Sequence, residues 1–296
     1  MRHRHISFTA IVNMKTLLVF YMALMTVGNV SCKKKDSTNN NTISALELKD
    51  VSYGSDPAQK MDVYLPANRS SSNTKALVLI HGGAWISGDK ADFNDVITAL
   101  KPLLPDFAFF NINYRLAAFP NVNVWPTQVN DVNAALSFIN SKASDYLVNT
   151  SKMGIGGASA GAHLALIKAY QSPANFKAVA DLFGPTDMKD MYNSNPSYQM
   201  VLGLFMSGTP TANPSAYTSA SPLYMVNTNT PPTIIFHGTL DNLVPVHQSD
   251  SLNNRLANFN ITRQYVKYVG AGHGWTGSDL TDTYLKLAAF IKQHVQ

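Results

Sequence analysis

Along the chain, short unbroken apolar runs alternate with longer stretches in which apolar residues return at helical spacing. Ala76 to Ile80 (ALVLI) and Phe107 to Ile112 have the pattern of strands covered on both faces, where no side is left to be polar. Asp62 to Leu65, in KMDVYLP, reads as a strand closed by Pro66. Met153 to Gly156, Ala178 to Phe183, Thr233 to Phe236 and Gln264 to Val269 supply the remaining predicted strands. Between them, Asp92 to Leu104 has helical spacing, and Pro126 to Lys142 places Val129, Val132, Leu136 and Ile139 on one face. Further helices are predicted over Ala160 to Tyr170, near Ser249 to Asn258, and over Thr281 to Val295. Alternation of this kind predicts an α/β fold with a mostly parallel central sheet flanked by helices on both faces. In such sheets sites form at the carboxyl ends of the strands.

Residues 186–232 interrupt the rhythm. They hold Met188, Met191, Met200, Met206, several tyrosines and many turn formers, without a convincing strand. A long connection with little regular structure inside a compact domain is more often a functional lid than a packing necessity. The stretch is read as a cap-like insertion.

The amino terminus has a different pattern again. Leu17 to Val30 is mostly apolar, follows Lys15, and is shorter than the roughly 20 residues of a membrane span. It reads as the core of an export signal over residues 1–32, with Met14 an alternative start to Met1. Cys32, the only cysteine in the 296 residues, follows the small Ser31 in a lipobox-like position. Lipidation of Cys32 is the expectation, with Asn29 in place of the usual Leu leaving simple signal cleavage open. Residues 33–44 are polar, rich in Asn and Ser, and read as a tether. Residues 45–296 then form one domain, exported to the cell envelope or periplasm and held to a bacterial membrane only through the lipid.

Charge and composition narrow the function. The formal charge of +5 is carried largely by Arg2, Arg4, Lys15 and the run Lys33 to Lys35, so the folded part is close to neutral. No cluster of Lys and Arg is visible there, which argues against nucleic acid as a partner. A single cysteine excludes an intramolecular disulfide and a cysteine metal cluster.

The candidate chemistry begins at Gly157-Ala158-Ser159-Ala160-Gly161, a G-x-S-x-G between a predicted strand and a predicted helix. Small neighbours allow a sharp turn that lifts the Ser159 hydroxyl above the sheet. The competing role is a capping serine at a glycine-rich helix start. Serine needs a base to take its proton. His273 lies on a glycine-flanked loop (AGAGHGWTG) after a strand and is the expected base; His163, His237 and His247 have structural alternatives. Asp241, after the strand Thr233 to Phe236, is the expected partner of His273, with Asp187 its competitor and otherwise a helix cap. Backbone N–H groups of Gly83, Ala84 and Ala160 are the expected oxyanion donors, and that of Trp85 is a substitute.

With these residues in place the chain resembles the α/β-hydrolase superfamily. Within it the likeness is to the esterase/lipase group similar to hormone-sensitive-lipase-like enzymes and to bacterial feruloyl and acetyl xylan esterases. It runs from Leu46 to Gln296 and rests on HGGAWISGDK at His81, NYRLA at Asn113, WPTQVNDVNAAL at Trp125, GGASAGAHLA at Gly156, HGTLDNLVP at His237 and GHGW at Gly272. The resemblance implies hydrolysis of small acyl or aryl esters, free or linked to polysaccharide, with no metal and no organic cofactor. It also implies that Tyr114, Arg115 and Asp131 support the site. Ala84 stands where relatives of hormone-sensitive lipase commonly have a third glycine, and HGGxW is similar instead to the feruloyl-esterase and arylformamidase branches. An arylformamidase or peptidase-type amide hydrolase, and a non-catalytic binding module on the same fold, are the alternatives.

Overall fold

The computed structural model describes residues 42–296 with the exception of Asn195. The predicted signal, most of the tether and Cys32 lie outside the described residues. The strands are β1 (Leu46–Ser52), β2 (Lys60–Leu65), β3 (Lys75–Ile80), β4 (Phe107–Ile112), β5 (Met153–Ala158), β6 (Ala178–Leu182), β7 (Thr233–Gly238) and β8 (Arg263–Tyr268). They form one sheet in the order β1-β2-β4-β3-β5-β6-β7-β8. The β1–β2 and β2–β4 pairs are antiparallel, and all other pairs are parallel.

The continuous apolar runs have the cause expected of them. On β3, Ala76, Val78 and Ile80 belong to the core on one face of the sheet, and Leu77 and Leu79 to the core on the other. On β4 the same alternation sends Ala108, Phe110 and Ile112 one way and Phe107 and Phe109 the other. The first face is covered by α2 (Thr127–Tyr146) and α3 (Ala160–Gln171), which contribute Val129, Val132, Ile139, Leu164 and Ile167. The second is covered by α1 (Asn94–Leu100) and the C-terminal helix Gly277–His294, through Ile97, Leu100, Leu287 and Ile291. Each such fully buried side chain contributes roughly 1.5–3 kcal/mol of apolar transfer energy, which is why both layers persist.

Three expectations need correction. Strand β1 was not anticipated, although Leu46, Glu47, Leu48 and Lys49 alternate; its mostly exposed edge position gives it too few apolar residues to stand out. The helix expected over Asp92 to Leu104 is instead a 3-10 turn, Lys90–Phe93, followed by α1, because Asp89 caps the turn one residue before Lys90. The insertion is also far more regular than expected. It contains α4 (Met188–Ser194), α5 (Pro196–Phe205), α6 (Pro214–Ser219) and a 3-10 turn at Pro222–Met225. Prolines begin three of these elements, where a missing N–H costs nothing, so residues counted as turn formers were helix starts. Met188, Met191, Phe205, Met206 and Tyr217 are buried against the first core rather than facing solvent. After the insertion come α7 (His247–Asn258) and, with the terminal helix as α8, the chain ends.

Candidate active site

Ser159 sits where β5 turns into α3, with φ 54° and ψ −120°, a conformation that costs a non-glycine residue steric strain. The turn is held by its neighbours. The Ser159 N–H donates to the Leu182 carbonyl at 2.8 Å, and the His163 N–H donates to the Ser159 carbonyl at 3.0 Å. Gly161 is required by close approach, since a Cβ there would lie 2.0 Å from the Ile80 carbonyl oxygen. The Ser159 side chain makes no capping hydrogen bond. Its Oγ is 3.0 Å from His273 Nε2, so the hydroxyl is engaged by the histidine and not by the helix start.

His273 follows β8 on the loop between Gly272 and Gly274 and packs edge-on against Phe183, with ring centroids 4.6 Å apart. Its Nδ1 is 2.7 Å from Asp241 Oδ2. Asp241 follows β7. Its Oδ1 accepts from the Leu243 and Val244 N–H groups at 2.8 and 2.9 Å. Burial opposes the charge on Asp241, but hydrogen bonds from His237 and His273, the His273 charge and the Leu243 N–H together hold the carboxyl well below its ordinary value of 3.8. The carboxylate therefore accepts from His273 Nδ1–H, which leaves the Nε2 lone pair facing the serine hydroxyl.

His237 is fully buried and supports this arrangement without touching the cleft. Its Nε2–H faces the Val244 carbonyl at 2.9 Å and Asp241 Oδ2 at 3.2 Å, and its Nδ1 accepts from Ser249 at 2.7 Å. Asp187 serves elsewhere. Its Oδ1 accepts from the Lys189 and Asp190 N–H groups and caps α4, and its Oδ2 accepts from the Tyr224 hydroxyl. His247, at the start of α7, pairs with Asp190 at 2.6 Å. The structure thus brings together Ser159, His273 and Asp241, and leaves the other candidates out of the relay.

Opposite the serine runs the loop after β3. Gly83, Ala84 and Trp85 have φ of 106°, 52° and 64°. Gly83 is obligatory here, because a Cβ would also fall 2.1 Å from the Ser87 carbonyl oxygen. The N–H groups of Gly83, Ala84 and Ala160 have no acceptor among the described residues. Behind the loop, the Tyr114 ring stacks on His81 at 4.4 Å and its hydroxyl donates toward the His81 and Gly82 carbonyls. Arg115 clasps the buried Asp131 with Nη2 at 2.6 Å and Nε at 2.9 Å, and Gln59 donates to the same carboxylate at 2.7 Å.

A cleft of about 320 Å³ lies between these parts, lined by Gly82, Gly83, Ala84, Ser87, Ser159, His273 and the largely apolar Phe183, Tyr198 and Leu243. Sequence reasoning missed the last three. Phe183 carried a signal, since it ends a strand on the sheet's carboxyl edge. Tyr198 carried none, because α5 was read as irregular. On β6, Asp181 is fully buried, and burial pushes its carboxyl up to about 7 against the opposing Gly184 N–H and His237. No group of three or more His, Cys, Asp or Glu residues able to hold a metal is present among the described residues.

The sheet order, with this constellation at its carboxyl edge, makes the protein an α/β-hydrolase. More narrowly, it matches the BD-FAE family over residues 61–256 and belongs to that family. It is 27% identical over 266 residues to Esterase LipC of Mycobacterium tuberculosis (strain ATCC 25618 / H37Rv), covering 82% of this chain and 64% of that one. The chain spans between half and two thirds of the length of this and two further mycobacterial esterases it matches. Among solved structures it is similar to a truncated form of a carbohydrate esterase from gut microbiota, with TM-score 0.70 and 28% identity, covering 82% of this chain and 96% of that one. It is also similar to a bifunctional GH43-CE protein of Bacteroides eggerthii, with TM-score 0.72 and 26% identity, covering 83% of this chain and 38% of that one.

Proposed function

We propose that the protein is a serine carboxylic ester hydrolase. The observation that carries this reading is the unbroken relay from Ser159 Oγ through His273 to the Asp241 carboxylate, at a strained turn that opens on a cleft. His273 Nε2 takes the serine proton as Oγ bonds to the ester carbonyl carbon. The N–H groups of Gly83, Ala84 and Ala160 hold the oxyanion that forms. Collapse breaks the bond to the alcohol oxygen, which leaves with the proton from His273. Water then attacks the acyl-serine by the same route and releases the acid. Asp241 orients the imidazole and stabilises its positive charge without taking the proton.

The cleft is at the small end of ligand sites, and its apolar walls suit a short acyl chain or one aromatic ring better than a long fatty chain. Acetyl or hydroxycinnamoyl groups on polysaccharide are the substrates we favour. The carbohydrate esterase similarity and the HGGxW loop support that choice. Export, with Cys32 lipidated, would bring such an enzyme to extracellular polymer; a mature chain whose N-terminal Cys32 carries no acyl mass by mass spectrometry would sink the lipid anchor.

The test is hydrolysis of p-nitrophenyl acetate, butyrate and octanoate, methyl ferulate and acetylated xylan by wild type and Ser159→Ala. Acetate or ferulate should be turned over ahead of octanoate, and Ser159→Ala should lose roughly 10³-fold or more in kcat. A folded wild type that cleaves none of them would instead direct attention to formamides and peptides, or to binding alone.

A further inference from the structure

Behind the cleft, among fully buried aromatic rings, runs a second hydrogen-bonded chain that the relay does not use. The Trp85 indole Nε1–H donates to His163 Nδ1 at 3.2 Å, and His163 Nε2 is 2.7 Å from the Ala220 carbonyl oxygen. The indole can only donate and the carbonyl can only accept. Both bonds together therefore require one state of His163, neutral with its proton on Nε2. His163 has no exposed surface and Trp85 is 1% exposed, so water cannot replace either partner.

The three groups joined in this way come from three different parts of the fold. Trp85 ends the left-handed run Gly83–Ala84–Trp85, in which two residues are not glycine and the conformation is sterically costly. Such a run needs external support, and the indole supplies it. The ring stacks on Phe205 of α5 at 4.4 Å and 8°, and the Trp85 carbonyl accepts from the Ala117 N–H at 2.9 Å. His163 lies on α3, one turn beyond Ser159, whose carbonyl accepts its N–H. Ala220 follows α6 in the insertion.

We propose that His163 and Trp85 are positioning residues for the hydrolytic reaction: the buried chain from indole to imidazole to the Ala220 carbonyl sets the distance between the oxyanion loop and Ser159. This role rests on the esterase reading. It assigns the insertion a part in building the site from behind, in addition to lining the cleft through Tyr198. Its direct effect falls on transition-state stabilisation, because an oxyanion donor displaced by a fraction of an ångström loses most in the tetrahedral state.

The experiment separates the two bonds. Trp85→Phe keeps the stack on Phe205 and removes the donor. His163→Asn keeps an acceptor where Nδ1 lies, and His163→Gln keeps a donor where Nε2 lies. kcat and KM for p-nitrophenyl acetate are measured on the full chain, normalised to the serine labelled by a fluorophosphonate, so that loss of folded protein does not count. Trp85→Phe and His163→Gln should each lower kcat about tenfold with KM little changed, and their combination should be no worse than either alone. His163→Asn, which keeps the indole's acceptor but breaks the bond to the Ala220 carbonyl, should lower kcat about three- to tenfold with KM little changed. Unchanged kcat in any of the three variants, or a loss that appears in KM and not in kcat, would overturn the role. Nitrogen-15 spectra give a second reading that does not depend on turnover: His163 should carry its proton on Nε2 alone from pH 8 to 5, and a protonated Nδ1 in that range would overturn the chain itself. A wild type that neither labels nor turns over would overturn the esterase reading, and this role with it, whatever the tautomer.

Discussion

Two strained turns face each other across the cleft, and they are held in different ways. The Ser159 turn is fixed almost entirely by backbone: an N–H to the Leu182 carbonyl, a carbonyl to the His163 N–H, and a glycine pressed against the end of β3. The Gly83–Trp85 loop has backbone bonds too, from the Ile86 and Ser87 N–H groups to the Gly83 carbonyl and from the Ala117 N–H to the Trp85 carbonyl, but it also relies on side chains from elsewhere, with Trp85 packed against Phe205 and His163. Trp125 in turn donates its N–H to the Phe205 carbonyl at 2.8 Å, which ties α5 to the chain entering α2. The lesson is that the Ser159 turn is held locally, whereas the Gly83–Trp85 loop adds to its own backbone bonds a contact with Phe205, from an insertion more than 100 residues away in sequence.

The strongest test of this contrast is Gly161→Ala. The added Cβ would lie 2.0 Å from the Ile80 carbonyl oxygen and 2.4 Å from that of His81, both backbone atoms that cannot swing aside. We expect the yield of fluorophosphonate-reactive protein to fall by roughly 100-fold, measured by gel labelling of soluble chain. Near-normal labelling would show that the turn tolerates displacement and is not set by backbone contact.

Phe205→Ala probes the other turn. Removing a fully buried ring should cost about 3–5 kcal/mol of stability by denaturant unfolding and, in the protein that remains folded, lower kcat about tenfold while Ser159 still labels. If labelling and kcat fell together, the two turns would not be independently held and the comparison would fail.

The smallest expected effect is a slope. Burial pushes the His163 imidazole down from 6.5 to about 4, against the pull of the Ala220 carbonyl. Below pH 6.5 the unfolded chain binds a proton there that the folded chain refuses, so stability falls as pH drops from 6.5 toward 4, by at most about 1.4 kcal/mol per pH unit. Unfolding free energies of wild type and His163→Gln measured across that range should differ in slope by an amount approaching one proton. Parallel slopes would mean that His163 already takes up its proton in the folded protein.

Sequence alone reached the parts whose signals are local. Mostly apolar strand patterns marked six of the eight strands, because a strand buried on both faces has no polar side to disguise it, and β8 was marked by the apolar alternation of its residues at the edge. Small residues around Ser159 and glycines around His273 marked the places where backbone must bend sharply, and the chain order of Ser159, Asp241 and His273 followed from where strands end. The edge strand β1 was lost for the opposite reason: exposed on most of its length, it has little apolar content to read. The sequence favoured Asp241 as the partner of His273, and only tertiary structure shows why Asp187 does not serve. Asp187 and Asp241 both follow strands, and the difference is that α4 and Tyr224 use up the first, while His237 and two backbone N–H groups steady the second. Tertiary structure also turned a stretch that read as irregular into three helices, whose buried Phe205 and Ala220 carbonyl meet Trp85 and His163 from distant points in the chain. Local pattern can specify a turn, because its causes are neighbours in sequence. Contacts between residues 85, 163, 205 and 220 exist only once the sheet and its connections have brought those residues together, and no spacing along the chain encodes them.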